Sequence, residues 1–299
     1  MIRNFIFFIN PISGTRRKDT LEAFIRNKCK EHNFSFHIAH TNAIGDYTEL
    51  PNKIVSNNIT DVIICGGDGT VNKITAALLH TNVSVGILPM GSGNGLAYAA
   101  GISSNWNKAF DIIVKNKPNW IDGFFVNGHF GCMLTGVGFD AIVAHDFLHQ
   151  QKRGLIKYIL ISIKKFWKAT SFSFEVNWGH QHISTEAYFI SIANSNQFGN
   201  YITIAPQAKL NDGLLDVIIV TKKNKISTLY ALLQQVVAGT TAKNHEDIRS
   251  TAGIHYFQSH HVVIKNPQLA PMHIDGEPIP SCQNIEVMIQ KNAFRLLQP

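Results

Sequence analysis

Short apolar runs alternate with helically spaced apolar positions through the first third of the chain, and polar or glycine-bearing turns separate them. Residues 3–9 form an apolar run that leads into Asn10-Pro11-Ile12-Ser13-Gly14. Leu21, Phe24, Ile25 and Cys29 follow at intervals of three and four, which predicts a helix over about residues 20–31. Residues 34–40 predict a second strand, and residues 45–57 a helix disturbed at Pro51. The run Asp61-Val62-Ile63-Ile64-Cys65 reads as a buried parallel strand. Gly66-Gly67-Asp68-Gly69-Thr70 comes next, then a helical pattern over 71–80 with Ile74, Ala77 and Leu78 on one face. A fourth strand over 83–88 runs into Pro89-Met90-Gly91-Ser92-Gly93-Asn94-Gly95. Such alternation predicts an open parallel sheet with helices on both faces. Ligands in these sheets sit beyond the carboxyl ends of the strands, where all three glycine-bearing turns lie and can converge on one cleft.

Near Trp120 the pattern changes, and strands dominate. They are predicted over 120–126, 129–137 after an Asn127-Gly128 hairpin turn, 172–178, 183–193, 214–221, 260–265 and 285–289. A helix over 225–238, ended by Gly239, interrupts them. This is a second, mostly antiparallel domain, with a boundary near Asp122. No internal repeat, low-complexity tract or long linker is visible.

Composition narrows the class. At 299 residues, 45% hydrophobic and 16% charged, the chain is globular and large enough for two modest domains. A net charge of +7 favours anionic partners such as nucleotides or acidic lipid surfaces. Nucleic acid would rest on charge alone, since no recognised binding module is legible. Cys29, Cys65, Cys132 and Cys282 are scattered without a Cys-x-x-Cys pair, which argues against zinc and for a reducing cytoplasm. The N-terminal apolar run is too short for a signal peptide. The uncharged stretch 83–102 is broken by Pro89 and several glycines, so a spanning helix is not expected. The fourteen histidines show no metal spacing, and His260-His261 reads as a strand pair.

The chemistry gathers at the glycine turns. Three glycines around Asp68 leave little side-chain bulk, so backbone amides at a helix start can approach a phosphate. Asp68 is then the one acid in a phosphate-sized hollow, a placement that a magnesium-bound nucleotide would offset. Taken alone, the turn also fits a tight connection. No Gly-x-x-x-x-Gly-Lys-Ser/Thr, complete dinucleotide fingerprint or protein-kinase His-Arg-Asp set occurs. Asn10, Ser13 and Gly14, followed by Arg16, Arg17 and Lys18, offer an amide, a hydroxyl and positive charge. Gly91-Ser92-Gly93-Asn94 offers further amides, and His273-Ile274-Asp275-Gly276-Glu277-Pro278 puts two acids on a turn.

Asn10-Pro11 with Ser13-Gly14, Gly66 to Thr70, Pro89 to Asn94, Asp212-Gly213 and Asp275-Gly276-Glu277 together resemble the lipid kinase superfamily of diacylglycerol, sphingosine and ceramide kinases and their bacterial relatives. The resemblance spans nearly the whole chain. It implies an α/β nucleotide-binding domain like that of NAD kinases and phosphofructokinases, over 1–122 with 291–299 returning to it, and a β-sandwich over 123–290. It further implies ATP and Mg2+ as cofactors and a lipid alcohol as substrate. By the same likeness Asn10, Pro11, Ser13, Gly14, Thr41, Gly66, Gly67, Asp68, Gly69, Thr70, Asn72, Lys73, Gly91, Ser92, Gly93 and Asn94 would bind the nucleotide. Asp68 would orient its phosphates, Glu277 would act as general base, and Asp122 would support Glu277. Asp122 fits a turn aspartate before Gly123 equally well, and Asp275 is read as a turn residue. A structural magnesium would sit on Asp212 with main-chain oxygens of Lys209 and Leu214. Asp212-Gly213 also fits an ordinary turn.

One position departs from the diacylglycerol kinase pattern: Gly95 stands where those kinases carry an acid, as in sphingosine and ceramide kinases. Residues 152–168 contain no acid. Lys157, Lys164 and Lys168 form a stripe there, opposite Ile156, Ile159, Ile163 and Trp167, with Tyr158 and Phe166 at the flanks. Such a helix suits transient contact with the inner face of a membrane, or a solvated face over a domain core. An NAD kinase-like enzyme and a catalytically inactive nucleotide- or lipid-binding regulator remain alternatives. A homodimer stays open.

Overall fold

The computed structural model describes residues 3–14, 18–42, 44–148, 162–199, 202–223, 225–226, 228, 249–251 and 253–299. Arg16, Arg17, residues 152–161 and nearly all of the helix expected over 225–238 lie outside them. The chain divides into two units, Met1–Ile121 with Asn292–Pro299, and Asp122–Lys291.

In the first unit β1 (Asn4–Ile9), α1 (Lys18–Glu31), β2 (Ser35–His40), α2 (Leu50–Ser56), β3 (Asp61–Gly66), α3 (Asp68–Ala77), β4 (Ser84–Pro89), α4 (Gly95–Ala99) and α5 (Trp106–Lys115) alternate along the chain. The strands are parallel in the order β2-β1-β3-β4, and Arg295 and Leu296 near the C-terminus extend the sheet parallel to β4. β3 is buried at every residue and β4 at all but its first, which is why both read as unbroken apolar runs. Residues 45–57 are not one helix disturbed at Pro51. The helix is α2, and Pro51 sits in its first turn, where a missing N–H removes no helical bond. α3 begins at Asp68, earlier than its apolar spacing indicates, with Gly67 as N-cap. Asp68 therefore occupies the first helical turn, where the helix dipole favours a negative charge.

The second unit contains the end of β5 (Pro118–Val126), then β6 (His129–Gly131), β7 (Leu134–Gly138), α6 (Phe139–Leu148), β8 (Phe172–Trp178) and β9 (Gln181–Ala193). β10 (Gln197–Gly199), β11 (Ile202–Thr203), β12 (Leu215–Thr221), β13 (Arg249–Thr251), β14 (Ile254–Ser259) and β15 (His261–Lys265) follow. β16 (Met272–Ile274), β17 (Glu277–Ile279) and β18 (Asn284–Leu297) complete the chain. The long β9 joins two layers. Its first half pairs antiparallel with β8, and its second half lies between β12 and β7. Phe174, Val176, Val262, Ile264, Ile285 and Val287 face Ile190, Ile192, Val217, Ile219, Met272 and Ile274 across one core. The outer side of the second layer is covered in turn by Phe139 and Val143 of α6 and by Phe166. β12 is buried on both faces for this reason.

Three expectations change here. Residues 129–137 are two strands, because the chain breaks at Cys132 and Met133. His260 lies outside the strand and contacts the Gly213 carbonyl through Nδ1 at 2.7 Å, so only His261 belongs to β15. Asp122 lies within β5 and is buried, so it is not a turn residue. Among the described residues no helix is long and apolar enough to cross a membrane.

Candidate phosphate cradle and carboxylate hairpin

The three loops of the first unit touch one another. Asn10 follows β1, and its Nδ2 donates to Thr70 Oγ1 in α3 at 2.8 Å, while its Oδ1 accepts the Ile12 N–H at 3.0 Å. Gly14, at φ +66°, lies against the Met90 carbonyl, where a Cβ would collide. Gly67 and Gly91 meet across the ends of β3 and β4: a Cβ on Gly91 would come within 2.6 Å of the Gly67 Cα. Gly66 is likewise pressed against the Thr70 side chain. Asn94, buried and left-handed at φ 51°, holds Gly91 from both sides. Its Oδ1 accepts the Gly91 N–H and its Nδ2 donates to the Gly91 carbonyl, both at 2.8 Å.

Main chain with little side-chain bulk thus surrounds the positive end of α3, with Asp68 in that first turn and Ser92 and Gly93 only half-buried. Thr41 continues β2 with its N–H on the Ile9 carbonyl at 3.0 Å. The Lys73 side chain runs over Gly45, and Asn72 is half-buried beside it. Glycines packed too tightly for any Cβ, at a helix start, fit a polyphosphate.

In the second unit Asp275 and Gly276 are the two central residues of a hairpin between β16 and β17. Their φ values of 50° and 85° match a type I′ turn, for which Asp-Gly is suited. Asp275 does more than turn the chain. Its carboxylate is buried and accepts the N–H groups of Cys132, Met133 and Leu134, each at 2.9 Å. Two of those amides, of Cys132 and Met133, lie in the break between β6 and β7, and the third opens β7. Glu277, the first residue after the turn, is exposed.

Asp122 serves another turn. Its Oδ2 accepts the Gly213 N–H at 2.8 Å, and its own N–H donates to the Leu210 carbonyl at 2.7 Å. Asp212 Oδ1 accepts the Leu214 N–H at 3.1 Å. Burial chiefly, and the neighbouring Asp122 charge in smaller part, push the Asp212 carboxyl up. Its oxygen is of the hard-donor kind that a divalent cation takes. Among the described residues no three His, Cys, Asp or Glu side chains form a metal cluster.

Asp140 and His273, a buried pair behind the Asp275 turn, carry no local motif. The one trace in the sequence is Gly136, a strand glycine whose missing side chain leaves them room.

A helix-flanked parallel sheet followed by an antiparallel sandwich is the architecture of diacylglycerol kinase-like and NAD kinase-like proteins. Residues 4–126 match the diacylglycerol kinase catalytic domain, and residues 134–297 match the YegS C-terminal NAD kinase beta sandwich-like domain. The chain belongs to the superfamily of bacterial diacylglycerol kinase-like lipid kinases. It is 28% identical over 278 residues to "Probable lipid kinase YegS" of Escherichia coli O127:H6, covering 90% of this chain and 88% of that one. It is 26% identical over 264 residues to "Probable lipid kinase YegS-like" of Chromohalobacter salexigens, covering 85% and 81%. A diacylglycerol kinase crystal structure from Bacillus anthracis str. Sterne shares the fold, with a TM-score of 0.75 at 18% identity over 99% of this chain and 97% of that one. A second solved chain from that strain gives 0.80 at 21% identity over 99% and 96%.

Proposed function

We propose that this chain transfers the γ-phosphoryl group of Mg-ATP to the hydroxyl of a membrane lipid, a diacylglycerol, sphingoid base or related lipid alcohol. The observation that carries the reading is the contact of Gly67 with Gly91, which brings two glycine loops together through main chain at the start of α3. Phosphoryl transfer needs in-line positioning and charge neutralisation more than covalent help. Asn10, Thr41, residues 67–73 and Ser92 would hold the nucleotide, and Asp68 would orient its phosphates. Bound magnesium would supply the positive charge that the phosphoryl oxygens require. Glu277 would take the proton of the lipid hydroxyl, with Asp122 as support, and Asp212 with the Lys209 and Leu214 carbonyls would hold a structural cation.

The names of the relatives favour a lipid over NAD as acceptor. Gly95, where diacylglycerol kinases carry an acid, leaves the acceptor open between diacylglycerol and other lipid alcohols. The place of action is the cytoplasmic face of a membrane, reached through the segment 152–168. Of that segment, Lys164, Trp167 and Lys168 are exposed, whereas Phe166 is buried and Lys165 pairs with Asp146. The test is Mg-ATP with a panel of diacylglycerol, sphingosine, ceramide and NAD, read by mass detection. A phosphorylated lipid is expected. NADP as sole product would favour the NAD kinase-like alternative, and nucleotide binding with no product would favour an inactive regulator.

A further inference from the structure

His273 in β16 is fully buried, and its Nε2 lies 3.4 Å from Oδ2 of Asp140, itself buried in the first turn of α6. The other ring nitrogen, Nδ1, accepts the Gly276 N–H at 3.1 Å. A ring nitrogen that accepts carries no proton, which leaves Nε2 as the ring's donor; it faces Asp140, but the geometry of the pair falls short of a hydrogen bond. Gly136 of β7 is the register partner of His273, and a Cβ there would collide with both side chains. α6 packs against β16 and β17, the two strands of the hairpin that carries Glu277. Burying a His–Asp pair costs desolvation that an apolar pair would avoid, so stability alone does not explain it.

We propose that Asp140 and His273 are positioning residues: the ring fixes the Gly276 amide, and through that turn the pair fixes where the main chain presents Glu277. The inference rests on the reading of Glu277 as the base. The Gly276 N–H on Nδ1 sets the tautomer, Asp140 confines the ring on its Nε2 side without hydrogen-bonding it, and the type I′ turn passes the constraint to the next residue.

Two amide variants separate the two contacts of the ring. His273→Asn places a carbonyl oxygen near Nδ1 and retains the acceptor for Gly276. His273→Gln places its amide near Nε2, retains a donor toward Asp140 and leaves the Gly276 N–H without its acceptor. We expect His273→Gln to lose about 10- to 100-fold in kcat with an unchanged KM for Mg-ATP, and His273→Asn to stay within about threefold of wild type. Equal losses in both variants, or a rise in KM that matches the loss in kcat, would overturn the proposal. Should either variant unfold, the imidazole 15N shifts of the wild-type protein decide: a bare Nδ1 with a protonated Nε2 is expected, and the opposite tautomer overturns it. Glu277→Gln keeps the two readings apart. If it is inactive while His273→Gln turns over normally, the positioning role fails and the base stands. If it is active, both fall.

Discussion

A Cβ on Gly67 would lie 3.0 Å from the Gly91 Cα, so two loops from different strands touch through main chain alone. Gly67 has φ −102°, an angle open to any residue, so it is the approach of Gly91 that demands glycine. Gly91→Ala would push the loops apart and displace the main chain at the start of α3. We expect a fold weakened by about 1–3 kcal/mol and a marked loss of nucleotide affinity, measured by melting and calorimetric titration. Unchanged binding would mean that these two loops are not where phosphate sits.

Asp275 predicts a larger structural effect. Asp275→Ala strands three buried amides, at about 1–3 kcal/mol each, so the second unit should lose several kcal/mol in denaturant unfolding. Asp275→Asn keeps one acceptor oxygen and tolerates the left-handed backbone, so it should lose less. A loss below about 1 kcal/mol for the alanine variant would show that these bonds are not what holds the break between β6 and β7.

Asp216 gives the fold a pH dependence. It is fully buried in β12, where Tyr256 Oη and Gln258 Nε2 donate to Oδ1. Burial pushes its carboxyl from the ordinary 3.8 up to about 7. Between those values the folded chain holds a proton that the unfolded chain releases, so stability falls as pH rises through the window. In chelator-treated protein, the melting advantage of Asp216→Asn over wild type should grow from about pH 5 to about pH 8. An advantage that shrinks would contradict the shift.

Much of this was legible in the chain because its determinants are local. β3 and β4 are buried on both faces and so read as apolar runs, and the glycine turns follow them directly. The contact of Asn10 with Thr70 is implied once both turns are placed at strand ends. What escaped has distant causes. Residues 129–137 stay apolar through Cys132 and Met133, and the break there depends on a carboxylate at Asp275, far along the chain. Asp122 resembles a turn aspartate beside Gly123, yet it is a strand residue that braces the turn at Gly213. Pro51 suggests a disturbed helix when no N-cap side chain marks the true start. Asp140 and His273 become a pair only when α6 is laid over β7 and β16.

Transfer of label from γ-labelled Mg-ATP into lipid, compared between wild type and Asp68→Ala, tests the central claim most directly. Asp68 lies in the first turn of α3, half-buried, and its replacement by alanine suits a helix. The account predicts labelled phospholipid with the wild-type protein, and a fall of about 10²- to 10³-fold or more with a variant that melts normally. Equal labelling by the two proteins would contradict it. So would the absence of label in every lipid offered, under conditions in which a related lipid kinase is active.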